Sequence, residues 1–437
     1  LADWSTAVCA VRSRTSTVGP TLSVRGAVGR PRGIRGEAMR IASYNVENMF
    51  ERPKVFARDK DWTEEAVRTS ARVDSSDRFN DVIGLHAERK RLFRKDVYSS
   101  GDKGRMAEII GALGLRSSDN VSLVTLRVLR GRLLRRPTDK TKPVQIVASG
   151  RADWVGWLDL NPEPVSELAT DHMAMVIRDS GADIVGVVEA DNRVALDLFA
   201  QSFLKRVGCR PYEQVMLFDG NDPRGIDVGL LVRDRASYSV TYFRTHIFEP
   251  DPDGSGRLFS RDCAEYHITE EGSGRTVVVL VNHLKSKGYN SEDDPIGAKQ
   301  RRRQAEGIAE IYTQLVRDGF DQVAVLGDLN DSPTLDGKPE SSLQPLFDTG
   351  LKDISEHDGF DPGERLGTFG TGHTLASKID YILLSPALSE RVVAGGIIRS
   401  GMWRGPRVRK PWKMYDTLTA EQHAASDHAL IWADLED

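Results

Sequence analysis

Six short apolar runs in this 437-residue sequence each end in, or begin from, an Asn, Asp, Glu or His. Residues 40–46 carry Asn45 and lead to Glu47, and 183–188 end in Glu189. The run 276–281 meets Asn282 and His283, and 323–326 meets Gly327, Asp328 and Asn330. Asp380 heads DYILLS, and Asp427 and His428 precede ALIWADL. Apolar runs of this length bounded by turn residues read as buried strands. Successive strand residues face opposite sides, so Asp328 and Asn330 aim at one side while Leu329 packs inward. In layered α/β proteins, active sites gather at strand ends, where a rigid scaffold meets variable loops.

The pattern around these runs sets the expected architecture. Helical periodicity at 166–181, 193–208 and 297–317 interleaves with strands at 183–189, 226–233, 238–243, 263–269, 275–282, 322–327, 378–384 and 429–434. Several strands follow one another directly, which favours an α/β layered sandwich with mixed sheets over a pure βαβ winding. Residues 52–165 mix charged helical and alternating strand patterns, and read as an insertion after the first strand. Residues 1–38 are rich in Arg, Ser, Thr, Gly and Pro and lack a continuous apolar core. They read as a disordered basic extension or an upstream segment foreign to the native chain, with one catalytic domain over 39–437.

Apolar runs such as TVVVLV fall far short of the ~20 residues of a membrane-spanning helix, so no transmembrane segment is expected. With no signal peptide visible, the expected location is cytoplasmic. Cys9, Cys209 and Cys263 are odd in number and have no CxxC spacing, which argues against a disulfide framework and a zinc cluster. The net charge of -4 makes no whole-molecule case for a polyanion, so such a partner must be held by local patches. Candidates are Lys285 and Lys287, the run 299–303 (KQRRR), and Arg127, Arg130, Arg132, Arg135 and Arg136 in the insertion.

SYNVEN at 43–48, VVEADN at 187–192, VNHLKSKG at 281–288, GDLNDSP at 327–333, SKIDYILLS at 377–385 and ASDHALI at 425–431 together resemble the ordered motifs of the endonuclease/exonuclease/phosphatase superfamily, in a bacterial-type member. That resemblance implies a deoxyribonuclease-like four-layer sandwich of two mixed β-sheets flanked by helices. It also implies a site at the top of the sheets, holding a divalent metal, usually Mg²⁺. By motif, Glu189 resembles the principal metal ligand, with Asn45 and Asp427 beside it. Asp328 and Asn330 resemble the pair handling the attacking water and the phosphate. His283 resembles a phosphate-oxygen ligand, and His428, paired with Asp380, the acid/base histidine.

The residue chemistry agrees. Four carboxylates drawn into one pocket repel one another and need cations or protons among them. Oxygen ligands without cysteine select a hard ion, Mg²⁺ with Mn²⁺ or Ca²⁺ as alternatives. The expected activity is metal-dependent phosphodiester hydrolysis by in-line attack of water.

Nucleic acid is the expected substrate, through the basic patches and through phosphate contacts by Arg261, Asn282, Lys285 and Lys287; no protein partner is inferred. Val188 and Asp191 stand where many relatives have Gln and a basic residue, and no WCDR signature occurs, so specificity stays unassigned. One alternative is a phospholipid or other small phosphoester hydrolase, with WRGPRVRKPWKMY (403–415) as an interfacial anchor. A less favoured one is an inactive binding module. Trp154 and Trp157 read as core, with base stacking as the alternative.

Overall fold

The computed structural model describes residues 38–49, 92–121, 124–139, 142–161, 166–222, 225–254, 256–287, 293–332, 341–370, 377–405 and 412–436, all within one compact unit, Gly36–Asp437. The expected amino-terminal extension, apart from Ala38, and the first part of the expected insertion lie outside the described residues.

Strand β1 (Met39–Met49) precedes a segment holding helix α1 (Ser100–Ala112) and strands β2 (Val124–Gly131), β3 (Leu134–Arg135), β4 (Gln145–Ile146) and β5 (Trp154–Leu160). Next come helix α2 (Glu167–Ser180), β6 (Ile184–Ala190), helix α3 (Arg193–Phe199), β7 (Gln214–Leu217), β8 (Asp227–Val232), β9 (Tyr238–Arg244), β10 (Cys263–Glu270) and β11 (Thr276–His283). Helix α4 (Ala298–Arg317) leads to β12 (Val323–Asp328), β13 (Lys352–Asp353), β14 (Phe360–Asp361), β15 (Asp380–Leu384), β16 (Val392–Ile398) and β17 (Leu430–Leu435).

Two mixed sheets carry the fold. One has seven strands in the order β14-β16-β17-β1-β6-β8-β7, the other six in the order β13-β15-β12-β11-β10-β9. Their inner faces interdigitate through Ile41, Val188, Leu230 and Ile431 against Val279, Val281, Leu326 and Ile382, each burial stabilising by about 1.5–3 kcal/mol. The outer face of the first sheet is covered by α2 and α3, through residues such as Val176, Ile177 and Leu196. That of the second is covered by α4, through Ala305, Ile308 and Leu315. The result is helix, sheet, sheet, helix: the expected four layers.

Helix α2 starts where the Ser166 side chain accepts the Ala169 N–H, and stops at Gly181, in the left-handed conformation at φ 62°, a backbone state that glycine enters without steric cost. The segment between β1 and α2 has its own apolar cluster, with Tyr98, Met106, Ile110, Leu126, Trp154 and Leu158.

Topology decides where the polar strand ends meet. β1 runs parallel to β6 and β11 parallel to β12, so the carboxyl ends of each pair share one edge. β17 is antiparallel to β1 and β15 antiparallel to β12, so these two begin where the others end. The parallel pairs contribute Asn45, Glu189, His283 and Asp328; the antiparallel strands contribute Asp380 and, just before β17, His428.

Candidate active site

In the second sheet, register alone aligns three side chains. His283 pairs with Asp328 across β11 and β12, and Asp328 pairs with Asp380 across β12 and β15. The first sheet brings Asn45 and Glu189 against them. The Asn45 amide nitrogen lies 3.2 Å from Glu189 Oε1, 3.3 Å from Asp328 Oδ2 and 3.4 Å from His428 Nε2. His283 Nε2 is 3.7 Å from both Glu189 Oε1 and Asp328 Oδ2. On the far side, His428 Nε2 is 3.9 Å from Asp328 Oδ2 and 3.7 Å from Asp427 Oδ1, while its Nδ1 lies 2.9 Å from Asp380 Oδ2.

The backbone is held in uncommon conformations to achieve this. Glu47, Glu189 and Asn330 have φ of 50°, 64° and 55°, and are the non-glycine residues with positive φ among those described. Glu189 is itself a site residue and the other two lie two residues from one, and strain of this kind persists only where the surroundings enforce it. Gly327, at φ 133°, abuts β11 so closely that a Cβ would lie 1.9 Å from the Asn282 carbonyl oxygen. Only glycine lets β12 deliver Asp328 at this spacing.

A supporting layer fixes the rotamers. The Asn330 N–H donates to Asp328 Oδ1 at 2.9 Å, leaving Oδ2 to face Asn45, His283 and His428. Asn330 Nδ2 itself donates to the Leu284 carbonyl. The Ser426 hydroxyl donates to the Asn45 carbonyl and accepts the His428 N–H. Thr368 Oγ1 accepts the N–H groups of Ile379 and Asp380, and its carbonyl accepts that of Ala429. Thr368 thereby ties the start of β15 to that of β17. Glu47 Oε2 accepts the Asp427 N–H at 3.0 Å. Sequence reasoning did not select Glu47, Ser426 or Thr368. The spacing of Glu47 from Asn45, two residues along one strand, was a usable signal; the two hydroxyls in loops offered none.

Electrostatics follow burial. Burial lifts the Asp328 carboxyl above its ordinary range and Asp380 and Glu189 add to it, with His428 opposing. Burial alone would depress His428, but Asp380, by charge and by hydrogen bond, and then Asp328 and Asp427 hold it well above the usual imidazole value. An excess of carboxylates in a desolvated pocket is the charge state a cation relieves. The donor set fits one: ligand atoms of Glu189, His283 and Asp328 lie within 4.8 Å of one another, as do those of Asp328, Asp380 and His428. The acceptors are oxygen-rich and include no thiolate, which suits a hard divalent ion.

Asn45, Glu189, His283, Asp328, Asp380, Asp427 and His428 therefore assemble, with Asn330 bracing Asp328. The expected substrate contacts fare differently. Asn282 is wholly buried on the face of β11 opposite His283, and its amide donates to the Leu280 carbonyl; strand alternation turns it away from the site. Arg261 is buried with Nε 2.8 Å from Asp222, an internal ion pair. Lys285 is half-buried, its N–H donating to Gln304, and Lys287 is exposed, 3.4 Å from Asp331.

The basic run 299–303 is not a free patch. Arg301 is 1 % exposed and donates to Ser342 and to the Lys285 carbonyl. Arg302 pairs with Glu306, and Arg303 with Asp251 and Asp253. In the stretch considered as an interfacial anchor, Trp412 is core, packed with Met402 and Ala429 and bonded to the Met402 carbonyl; residues 406–411 lie outside the described residues. No helix among the described residues is long and apolar enough to cross a membrane.

Similar solved structures include an endonuclease/exonuclease/phosphatase from Bacteroides vulgatus (18% identity, 62% of this chain and 90% of that one, TM-score 0.42). A mannosyl-6-phosphatase from Bacteroides thetaiotaomicron is 16% identical over 62% and 91% of the two chains (TM-score 0.44). The human Nocturnin catalytic domain with bound sulfate is 17% identical over 62% and 86% (TM-score 0.42). No curated protein matches the sequence. The model of the Endonuclease/Exonuclease/phosphatase family matches residues 160–428, more than half of the chain and all of the site except Asn45, and the chain belongs to that family.

Proposed function

We propose that this phosphoester hydrolase is a metal-dependent nuclease. The observation that carries the reading is the convergence on Asp328 Oδ2 of Asn45, His283 and His428, with Glu189 bridged to it through the Asn45 amide. Such an arrangement can bind a phosphodiester and strip a proton from water beside it. Nucleic acid is favoured among phosphoesters by residues 124–160, which hold eight basic and three acidic residues in a chain of net charge -4. Basic groups that meet several phosphates supply sequence-independent affinity.

Asp328, its Oδ1 occupied by the Asn330 N–H, orients the attacking water through Oδ2 and takes its proton as the new P–O bond forms. His283 and His428 donate hydrogen bonds to the non-bridging oxygens, where charge accumulates in the transition state. Asp380 holds the His428 ring by Nδ1, so that Nε2 carries the donated proton. Glu189, with Asn45 and Asp427 beside it, would hold a divalent ion, which would supply polarisation of a phosphoryl oxygen and stabilisation of the departing alkoxide.

The test is release of acid-soluble nucleotides from DNA and RNA against release of choline phosphate from lipid, each with Mg²⁺ and with EDTA. Nucleotide release that requires metal and vanishes in His428→Ala is the expected result. Choline phosphate release without nucleotide release overturns the nuclease assignment, and activity that survives His428→Ala overturns the mechanism.

A further inference from the structure

Strands β2 and β5 form a two-stranded ribbon with one face on a core and one in solvent. Trp154 and Leu158 face inward and are buried, and the Trp154 indole N–H donates to the Tyr98 hydroxyl at 2.9 Å. Val155 and Trp157 alternate with them and are 37% and 46% exposed. Arg127 lies opposite Trp157 and Arg130 opposite Val155; directly opposed residues of an antiparallel pair share a face. A register shift between Val128 and Arg130 marks a bulge, and Leu129 within it is 71% exposed. Bulges re-aim side chains away from regular pairing.

We infer that this outer face is a platform for single-stranded nucleic acid, on which a base stacks over the Trp157 indole while Arg127 and Arg130 meet the adjacent phosphates. This rests on the nuclease reading and names the form of substrate that the chain engages. An exposed tryptophan and leucine on a thin ribbon are a solubility liability unless something covers them, and the covering partner must also suit the guanidinium groups. Single strands present both a π-face and a phosphate at each step, which aromatic and basic side chains recognise without regard to sequence. In a duplex the bases are already stacked, so the indole has no open face to take. The Arg127–Asp159 pair, at 3.3 Å with both side chains about half exposed, is no obstacle: solvent-exposed pairs contribute little, and a phosphate can replace the carboxylate.

The experiment measures anisotropy of a labelled oligo(dT) with the full chain in EDTA, so that hydrolysis does not consume the probe. Trp157→Ala is expected to weaken binding by about tenfold or more, and Trp157→Phe to retain most of it. Arg127→Ala with Arg130→Ala should flatten the salt dependence by about 0.7 per lost phosphate contact. Hydrolysis of bis(p-nitrophenyl) phosphate by Trp157→Ala should match wild type, since the substitution leaves the catalytic groups untouched. Wild-type affinity in Trp157→Ala, no oligo(dT) binding at all, equal weakening on blunt duplex, or loss of binding to anionic vesicles alone would each overturn the inference. A protein that cuts DNA or RNA yet is indifferent to Trp157 loses this platform and keeps the nuclease reading. One that releases only choline phosphate loses the reading itself.

Discussion

His428 and Asp380 lie 48 residues apart in sequence, yet one imidazole nitrogen sits 3.1 Å and 2.9 Å from the two oxygens of a single carboxylate. Both groups are buried, and the carboxylate fixes both the ring orientation and the nitrogen left to face substrate. Removing a hydrogen-bond donor to the developing oxyanion should cost about 10²–10³ in kcat, so His428→Ala is expected in that range. Asp380→Asn keeps the ring but loses its charged anchor; a fall of about tenfold or more in kcat with KM nearly constant is expected. Steady-state kinetics on one oligonucleotide measures both, and a wild-type kcat in Asp380→Asn would deny the pair its role.

Glu189 and Asp328 crowd one pocket, bridged by the Asn45 amide, which donates to both, with His283 Nε2 3.7 Å from each. A pocket built this way is strained by its own charge until a cation enters. Thermal unfolding in EDTA should therefore show Glu189→Gln at or above wild-type stability. Adding Mg²⁺ should reverse that order. At a hundredfold excess over its dissociation constant a single bound ion adds about 2.7 kcal/mol, which the variant forfeits along with activity. A variant destabilised equally with and without Mg²⁺ would mean that Glu189 is structural.

Most of the site is legible in sequence because each of its residues abuts an apolar run. The run's length marks a strand, and the polar residue breaks the pattern. Strand β16 was missed for the converse reason: VVAGGII reads as a break, yet Gly395 and Gly396 are small because a Cβ would lie 2.9 Å from Phe360 and 3.2 Å from Trp432. Charge was the poorest guide. The run 299–303 reads as a patch because the partners of Arg301 and Arg303, namely Ser342, Asp251 and Asp253, lie 41 to 52 residues away and pair through tertiary structure. Trp154 and Trp157, three residues apart, read together as core in the sequence, whereas the pleat sends one inward and the other to solvent.

Gly327→Ala is a direct probe of how closely β11 and β12 must approach. The new methyl group would overlap the Asn282 carbonyl oxygen, at 1.9 Å, in a backbone conformation foreign to alanine. Strain and overpacking each cost about 1–3 kcal/mol, so a loss of about 2–4 kcal/mol in urea unfolding is expected. Because Asp328 is the next residue, activity should fall further than the folded fraction does. Unchanged stability would mean that the two strands can part without cost.

Two neighbouring arginines of α4 should separate cleanly by substitution. Arg301 is buried with bonds to Ser342 and the Lys285 carbonyl and lies 3.9 Å from Asp331. Breaking buried charge pairing of this kind costs about 3–5 kcal/mol, and Arg301→Ala is expected to lose about that much stability. Arg302→Ala removes only an exposed pair with Glu306, worth well under about 1 kcal/mol. Oligonucleotide affinity in Arg302→Ala should match wild type. A clear loss of affinity there would restore this run as a substrate contact.

Glu265 provides an acid-dependent term in stability away from the active site. Its two oxygens meet His246 Nε2 at 3.1 Å and His267 Nε2 at 2.7 Å. Burial pushes this carboxyl upward, but the two imidazole hydrogen bonds prevail and bring it from 4.5 down to about 2. A carboxyl more acidic in the folded than in the unfolded chain stabilises fully above its unfolded value and loses that contribution as pH falls toward its folded one. The contribution therefore operates above about pH 4.5 and fades between there and pH 2. Glu265→Gln should cost on the order of 1.5–3 kcal/mol at pH 7, the range for hydrogen bonds to a charged group, and the gap from wild type should narrow as pH falls from 5 to 3. Urea unfolding across that interval measures the gap; parallel decline of the two proteins would show that the histidines do not hold this carboxylate ionised.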